Sequence, residues 1–263
     1  MSIEVLKMLI YSNSLFGPAH LVQIAVSIIL IVVLSILVQK VDFKKCCKNL
    51  LYIGIVSEFI KVFYYIIANE EVYGGYLPKT DLPFHLCSIQ IIFILIVNIV
   101  SNEKVKRFIL SFMLPSCLIG GIAAILIATD SARNTPIITC QYYLYHVAIV
   151  VFAIKIFNNG EFKLEMKDFF NCLKFILVIM FFAIYINSLT YTDQMIATGK
   201  GQVNFMYVVS PPQPGLPYLN ENHGWLVYIC HYAFLIIFAI CGCYSKVLID
   251  FFKNKLKNDN LVN

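Results

Sequence analysis

Charge is what this sequence has least of. Asp, Glu, Lys and Arg together make up 13% of its 263 residues, about half the share of an ordinary soluble domain. That scarcity excludes a water-soluble fold. Hydrophobic residues reach 60%, and folding removes only about three quarters of the exposed surface even for a chain of this length. Other absences narrow the function. There is no glycine-rich phosphate loop, no low-complexity linker, no internal repeat and no short His-x-x-x-His pair, which are the usual marks of nucleotide sites, inverted-repeat transporters and zinc sites. The first sixteen residues carry no cleavage signature, since Glu4 and Lys7 interrupt them. They read as an interfacial stretch ahead of the first span.

What is present is a series of apolar runs. Seven segments, 20–39, 49–68, 83–101, 107–128, 137–157, 169–190 and 223–244, are each long enough to cross roughly 30 Å of hydrocarbon at 1.5 Å per residue. The expected fold is all-α: a polytopic membrane protein of seven transmembrane helices, one domain over 1–263, with an interfacial segment at 1–19 and a cytoplasmic amphipathic tail at 245–263.

Basic residues give the expected orientation, because short cytoplasmic loops carry the Lys/Arg excess. Thirteen of the twenty fall at one set of span ends: Lys40 to Lys48, Lys104 to Arg107, Lys163 and Lys167, and Lys246 to Lys257. The opposite ends hold Lys7, Lys79, Arg133 and Lys200. This places the N-terminus outside and the C-terminus in the cytoplasm of a multi-pass cell-membrane protein. The net charge of +5 then faces anionic inner-leaflet lipid and implies no nucleic-acid partner. In the tail, Val247, Leu248, Ile249, Phe251, Phe252 and Leu256 interleave with lysines, as in a helix lying in the interface. The longest non-spanning segment, 191–222, carries Pro211, Pro212, Pro214 and Pro217. It reads either as a lid or as a plain connector.

The nine cysteines are too scattered for a disulfide framework, and most fall where buried thiols serve as packing residues. Cys87 and Cys140 lie toward the outer side, and a bridge between them stays open at this stage. The five histidines are more informative. His20, His85, His146, His223 and His231 all fall at the outer ends or middles of their spans. A histidine inside a span is costly and usually faces a polar interior. Counted in turns, His146, His231 and Glu58 lie roughly 12–15 Å deep, so they are candidates for one polar cavity. Glu58 has a second reading as the partner of Lys61, three positions on.

The third segment opens Thr80-Asp81-Leu82-Pro83-Phe84-His85-Leu86-Cys87-Ser88-Ile89-Gln90. Asp81 or Thr80 is a candidate cap and Pro83 suits a first helical turn, which would put Cys87 near a helix N-terminus whose dipole favours a thiolate. His85 is two residues away, about 200° around a helix, so the base for a Cys87 nucleophile is expected from another helix, at His146 or His231. The alternative is that Cys87 packs and His85 sits at the interface.

The run Leu82 to Ser88 resembles the signature of the YwaF family of bacterial membrane proteins, which is similar to the transmembrane protein 164 acyltransferases. Phe16-Gly17-Pro18-Ala19-His20-Leu21, Tyr145-His146, Asn204-Phe205-Met206-Tyr207 and His223-Gly224-Trp225-Leu226-Val227-Tyr228 resemble further stretches of that family. The resemblance implies a fatty-acyl transferase acting on phospholipids or lysophospholipids, with Cys87 as acyl carrier, His146 as base and His85 orienting or serving the oxyanion. Glu58, His231, Gln90, Asn204 and His20 are the further cavity candidates. Ester exchange between lipids needs no cofactor, and no metal is expected. Two rival readings remain. One is a channel, transporter or receptor that binds a small cation or polar ligand at Glu58, His146 and His231. The other is a metal hydrolase with His85, His146 and His231 as ligands.

Overall fold

The computed structural model describes residues 15–128, 136–159, 162–191, 203–212, 219 and 224–262. His223, most of the N-terminal interfacial stretch and most of the proline-bearing connector lie outside the described residues. Helix α1 is Pro18–Val38, α2 is Phe43–Val62, α3 is Glu70–Tyr73 and α4 is Ile89–Ile99. They are followed by α5 (Glu103–Leu126), α6 (Pro136–Asn158), α7 (Met166–Thr190), α8 (Trp225–Cys243) and α9 (Ser245–Val262). Helix α2 continues as a π-helical stretch to Ala68, so the second span is one 26-residue helix.

Local chemistry starts each helix where the apolar pattern begins. Pro18 sits in the first turn of α1, where its missing N–H costs nothing. Asp42 and Asn102 accept backbone N–H groups at the starts of α2 and α5. Glu165 and Asp168 form a reciprocal capping box on α7, satisfying N–H groups that the helix itself leaves orphaned.

Among the described residues, six helices are long and apolar enough to cross a membrane. Each expected span except the third appears within a few residues of its expected bounds. The third, 83–101, departs from expectation: its helix begins only at Ile89 and is about 16 Å long at 1.5 Å per residue, half a membrane. Lys79–Asp81 is a 3-10 turn, and 82–88 is a chain of turns and bends. The hydropathy of this stretch suits a helix, but side chains take carbonyls in it and just before it. Thr80 O receives His85 Nε2, Leu86 O receives Gln90 Nε2 and Cys87 O receives the Tyr145 hydroxyl. Irregular backbone is tolerated at membrane depth only where it is enclosed by protein or lines a cavity.

Helices α5 and α6 form the centre. In each, 61% of the most apolar window is buried, against 6% in α1 and 11% in α8; α1 packs mainly on α6, and α7 on α5. In hydrocarbon, helices gain little from hiding apolar surface from one another, so close packing and interhelical hydrogen bonds carry the association. Phe93 of α4, Phe112 of α5 and Phe175 of α7 interlock with centroid separations of 4.6–5.5 Å. Pro115 interrupts α5 and has no N–H to offer the Ser111 carbonyl one turn back. The Tyr244 hydroxyl at the end of α8 donates to that carbonyl instead, at 2.8 Å.

Four contacts gather the lysine-rich turns at one end of the bundle. Lys155 Nζ donates to Gln39 O, Asn98 Nδ2 to Cys47 O, and Arg107 grips Asp168 and Lys163 O; Tyr244 reaches Ser111 there as well. Cys46, Cys47, Cys117 and Cys172 are buried packing residues, whereas Cys140 and Cys230 are exposed. All nine cysteines are free, so Cys87 and Cys140 are unbridged.

Candidate functional site

At the end of the bundle opposite the lysine-rich turns lies a cavity of about 910 Å³. Its polar wall carries Glu58, Lys61, Asp81, His85, Cys87, Tyr142, Tyr145 and His146. Its floor is apolar: Phe112 of α5, Ile176 and Met180 of α7, and Leu235, Ile236, Ala239 and Ile240 of α8. Cys172, Ile176 and Met180 follow at four-residue spacing, the period that keeps one helix face on the cavity.

Cys87 is half-buried on the irregular turn. The turn is tied down from two sides. Tyr145 of α6 donates to the Cys87 carbonyl at 2.8 Å. Gln90 of α4 donates to Leu86 O at 2.9 Å and to Ser116 Oγ at 3.1 Å, and its own oxygen accepts the Cys117 thiol. Across from Cys87 stands Gly120 of α5, where a Cβ would lie 3.8 Å from the sulfur and 3.2 Å from Leu86 Cδ2. Its neighbour Gly121 serves the other face. A Cβ there would fall 2.5 Å from Val150 Cγ2 and 3.3 Å from the His146 carbonyl. This glycine pair lets the turn bearing Cys87 and the helix bearing His146 both close on α5.

His146 is buried, and its Nδ1 lies 2.7 Å from Tyr142 O. A carbonyl only accepts, so Nδ1 carries the hydrogen and Nε2 keeps the basic lone pair. Tyr142 lies against the same imidazole, with centroids 4.1 Å apart, and is held by its own bond to Ala124 O. By the same reasoning His85 donates Nε2–H to Thr80 O at 3.1 Å. Its ring packs edge-on to Phe205 at 5.0 Å. Among the described residues no hydrogen bond joins the Cys87 thiol to either imidazole.

The remaining candidates separate. Glu58 lines the cavity with its carboxylate held by Lys61 at 2.8 Å. Asn204 also lines it, and pins a turn by donating to Ser210 O and accepting from Val209 N. Three expected cavity residues are placed elsewhere. His231 is exposed on α8, and the next residue, Tyr232, takes the cavity-facing position; one residue is a rotation of about 100°, which depth counting does not see. His20 is fully buried between α1 and α5, accepting Phe16 N–H at Nδ1 and donating Nε2–H to Ile125 O. Gln90 stands behind the catalytic-candidate turn with its amide spent, as above. With His231 facing outward, the three-histidine metal arrangement is not assembled, and no cluster of three or more metal-ligating side chains occurs among the described residues.

How the 203–210 turn is held is barely legible from sequence. Met206 and Tyr207 have left-handed backbone, φ 56° and 53°, a strained choice for side-chain-bearing residues. Every carbonyl from Phe205 to Val208 receives a side chain from α7 or α8: Asn187, Tyr232, Tyr228 and Trp225 in turn. So anchored, Phe205 packs on His85, while Met206 and Tyr207 wall the cavity. The only signal available in sequence was that Asn187, Tyr228 and Tyr232 are polar groups inside apolar runs, as donors to a distant backbone must be.

These features define a multi-pass helical membrane protein with a polar site enclosed in the bundle. The chain belongs to the TMEM164 family, whose model it matches over residues 15–244. No curated protein and no solved structure matches the sequence.

Proposed function

We propose that this protein is a phospholipid acyltransferase in which Cys87 carries the acyl chain as a thioester. One observation supports this above the rest. A thiol and a histidine with its basic nitrogen uncommitted border the same cavity, whose floor is lined by hydrocarbon side chains. Membership of the TMEM164 family agrees with it.

In this reading His146 Nε2 accepts the Cys87 proton as the sulfur attacks the carbonyl carbon of a donor ester. The tetrahedral intermediate collapses by breaking the C–O bond, and the lysolipid oxygen leaves with the proton from His146. A lysolipid or ether-lipid hydroxyl then loses its proton to the same nitrogen and attacks the thioester, releasing the Cys87 thiolate to be reprotonated. Ester exchange balances without a cofactor. His85 orients: its one N–H is committed to Thr80 O, so as a neutral ring it has no second donor for an oxyanion. The basic end of the bundle faces the cytoplasm, which opens the cavity toward the outer leaflet of the cell membrane, and the 82–99 segment completes a seventh crossing.

Purified protein incubated with mixed phospholipids is expected to show a hydroxylamine-labile acyl adduct on Cys87 by peptide mass spectrometry. The adduct should vanish in Cys87→Ala and build up when acceptor is withheld. An unmodified Cys87 with every donor would overturn the assignment.

A further inference from the structure

The cavity wall beside Cys87 carries charge that the transfer chemistry does not use. Among the described residues lining the cavity, the charged side chains are Glu58, Lys61 and Asp81. Lys61 sits inside the membrane-spanning part of α2 with 9% of its side chain exposed, and both Glu58 oxygens lie within 2.9 Å of its ammonium. A charged pair at this depth is costly and marks a polar ligand path. The lysine has three donors, so its carboxylate partner does not exhaust it. Asp81 lies on the 3-10 turn that enters the cavity, with the Thr80 hydroxyl donating to it at 3.3 Å. Burial raises its carboxyl above the ordinary range, and the nearby Lys61 offsets this only in part. The formal charge of the three groups is −1, so the wall is one cation short.

We propose that Lys61, Glu58 and Asp81 form the head-group subsite of the cavity, Lys61 holding a lipid phosphate and Asp81 with Glu58 holding the ammonium of a zwitterionic head. This rests on the acyltransferase reading and deepens it by assigning the residues that select the phospholipid. The ammonium pairs with the carboxylate that Lys61 leaves over and the phosphate takes the lysine donors that Glu58 leaves over, so a zwitterionic head adds no net charge to the wall. An anionic head such as glycerol phosphate brings no cation and meets a net negative wall. The apolar floor takes the chains while the head stays beside α2, which brings the ester that joins them toward Cys87.

The test measures binding apart from chemistry. Full-length Cys87→Ala protein, which forms no thioester, is titrated in detergent with short-chain phosphatidylethanolamine, phosphatidylcholine and phosphatidylglycerol, and bound lipid is read by native mass spectrometry. The two zwitterionic lipids are expected to bind at least about tenfold more tightly than phosphatidylglycerol, the worth of one close charge pair. Adding Asp81→Asn should shrink the preference, because the ammonium loses its counter-charge, whereas adding Lys61→Gln should weaken all three lipids through the lost phosphate contact and Lys61→Arg should keep their affinity, which separates lost recognition from lost folding. Equal binding of all three heads by the parent, a preference unchanged in Asp81→Asn, or undiminished binding of all three in Lys61→Gln overturns the subsite. Head-group selectivity in Cys87→Ala together with an unacylated Cys87 in the wild type would remove the transfer reading alone. An acylated Cys87 without head-group selectivity would remove the subsite alone.

Discussion

Helix α5 joins two regions built on opposite principles. At its lysine-rich end the buried polar groups are spent. Arg107 makes a bidentate pair with the fully buried Asp168 at 2.6 and 2.8 Å, donates to Lys163 O and lies 5.2 Å from the centre of the Phe162 ring. Tyr244 satisfies the carbonyl that Pro115 leaves open. At the other end Gly120 and Gly121 remove side-chain bulk, and what closes on them is a turn with a thiol and a helix with a half-used imidazole. The same contrast separates two buried histidines. His20 has both nitrogens bonded and so acts as a clamp, whereas His146 has one bonded and the other on the cavity. A saturated network holds a fold together. Function needs a group left over.

The largest expected break of this contrast is kinetic. His146→Gln should slow acylation of Cys87 by at least about a hundredfold, the usual worth of a positioned base, with little change in melting temperature. His20→Gln should do the reverse, costing about 1–3 kcal/mol by stranding a buried partner while the acylation rate per folded molecule stays put. Melting curves and time-resolved adduct formation on the same preparations check both. Equal losses in rate and stability for the two variants would erase the distinction between clamp and base.

Next in size is the charge clasp. Asp168→Ala removes the partner of Arg107 and one half of the α7 capping box. Loss of one member of a buried pair costs about 3–5 kcal/mol; a quarter of the Arg107 side chain is exposed, so about 3 kcal/mol is expected. The loss should appear in thermal melting in detergent, with head-group binding unaffected in the molecules that remain folded.

The glycine pair sharpens the comparison at smaller cost. Gly121→Ala forces a methyl to 2.5 Å from Val150 Cγ2 and should cost about 1–3 kcal/mol through overpacking. Gly120→Ala meets only the ends of Leu86 and Cys87, so its stability cost should stay under about 1 kcal/mol while acylation slows. A Gly120→Ala protein that is destabilised as much as Gly121→Ala would mean that the gap before Cys87 is structural.

How much of this was legible in the sequence follows from the range of each signal. Six spans are recoverable because hydropathy is a local sum, and charge at the loops marks which ends belong together. The Pro83 to Ser88 stretch is as apolar as a helix, and what holds it irregular is Tyr145 of α6 reaching the Cys87 carbonyl, with Gln90 just down the same segment turning back on Leu86 O. Depth counting brought Glu58 and His146 to one cavity, but depth carries no rotation, so it did not show that His231 faces outward while its neighbour Tyr232 lines the cavity. The Cys87 motif stood out as a local pattern. Gly120, Asn187 and Tyr228 did not, because their meaning lies in partners far along the chain.

The smallest effect tests whether the charged wall behaves as a group left over. Asp81 has a folded-state carboxyl raised above its ordinary range of about 4 by burial. The fold therefore disfavours its ionised form, and stability falls as pH rises from the ordinary value through the raised one. Asp81→Asn removes that penalty. It should melt level with the wild type at about pH 3, below the ordinary value, and a few tenths of a kcal/mol above it at pH 7, the discount reflecting a carboxyl that is only half-buried. The same variant should weaken phosphatidylethanolamine binding, since the ammonium loses its counter-charge. A residue that costs stability while empty and is needed when lipid is bound is what a binding wall requires. An Asp81→Asn protein that gains no stability at pH 7 and keeps its lipid affinity would instead make Asp81 an ordinary turn residue.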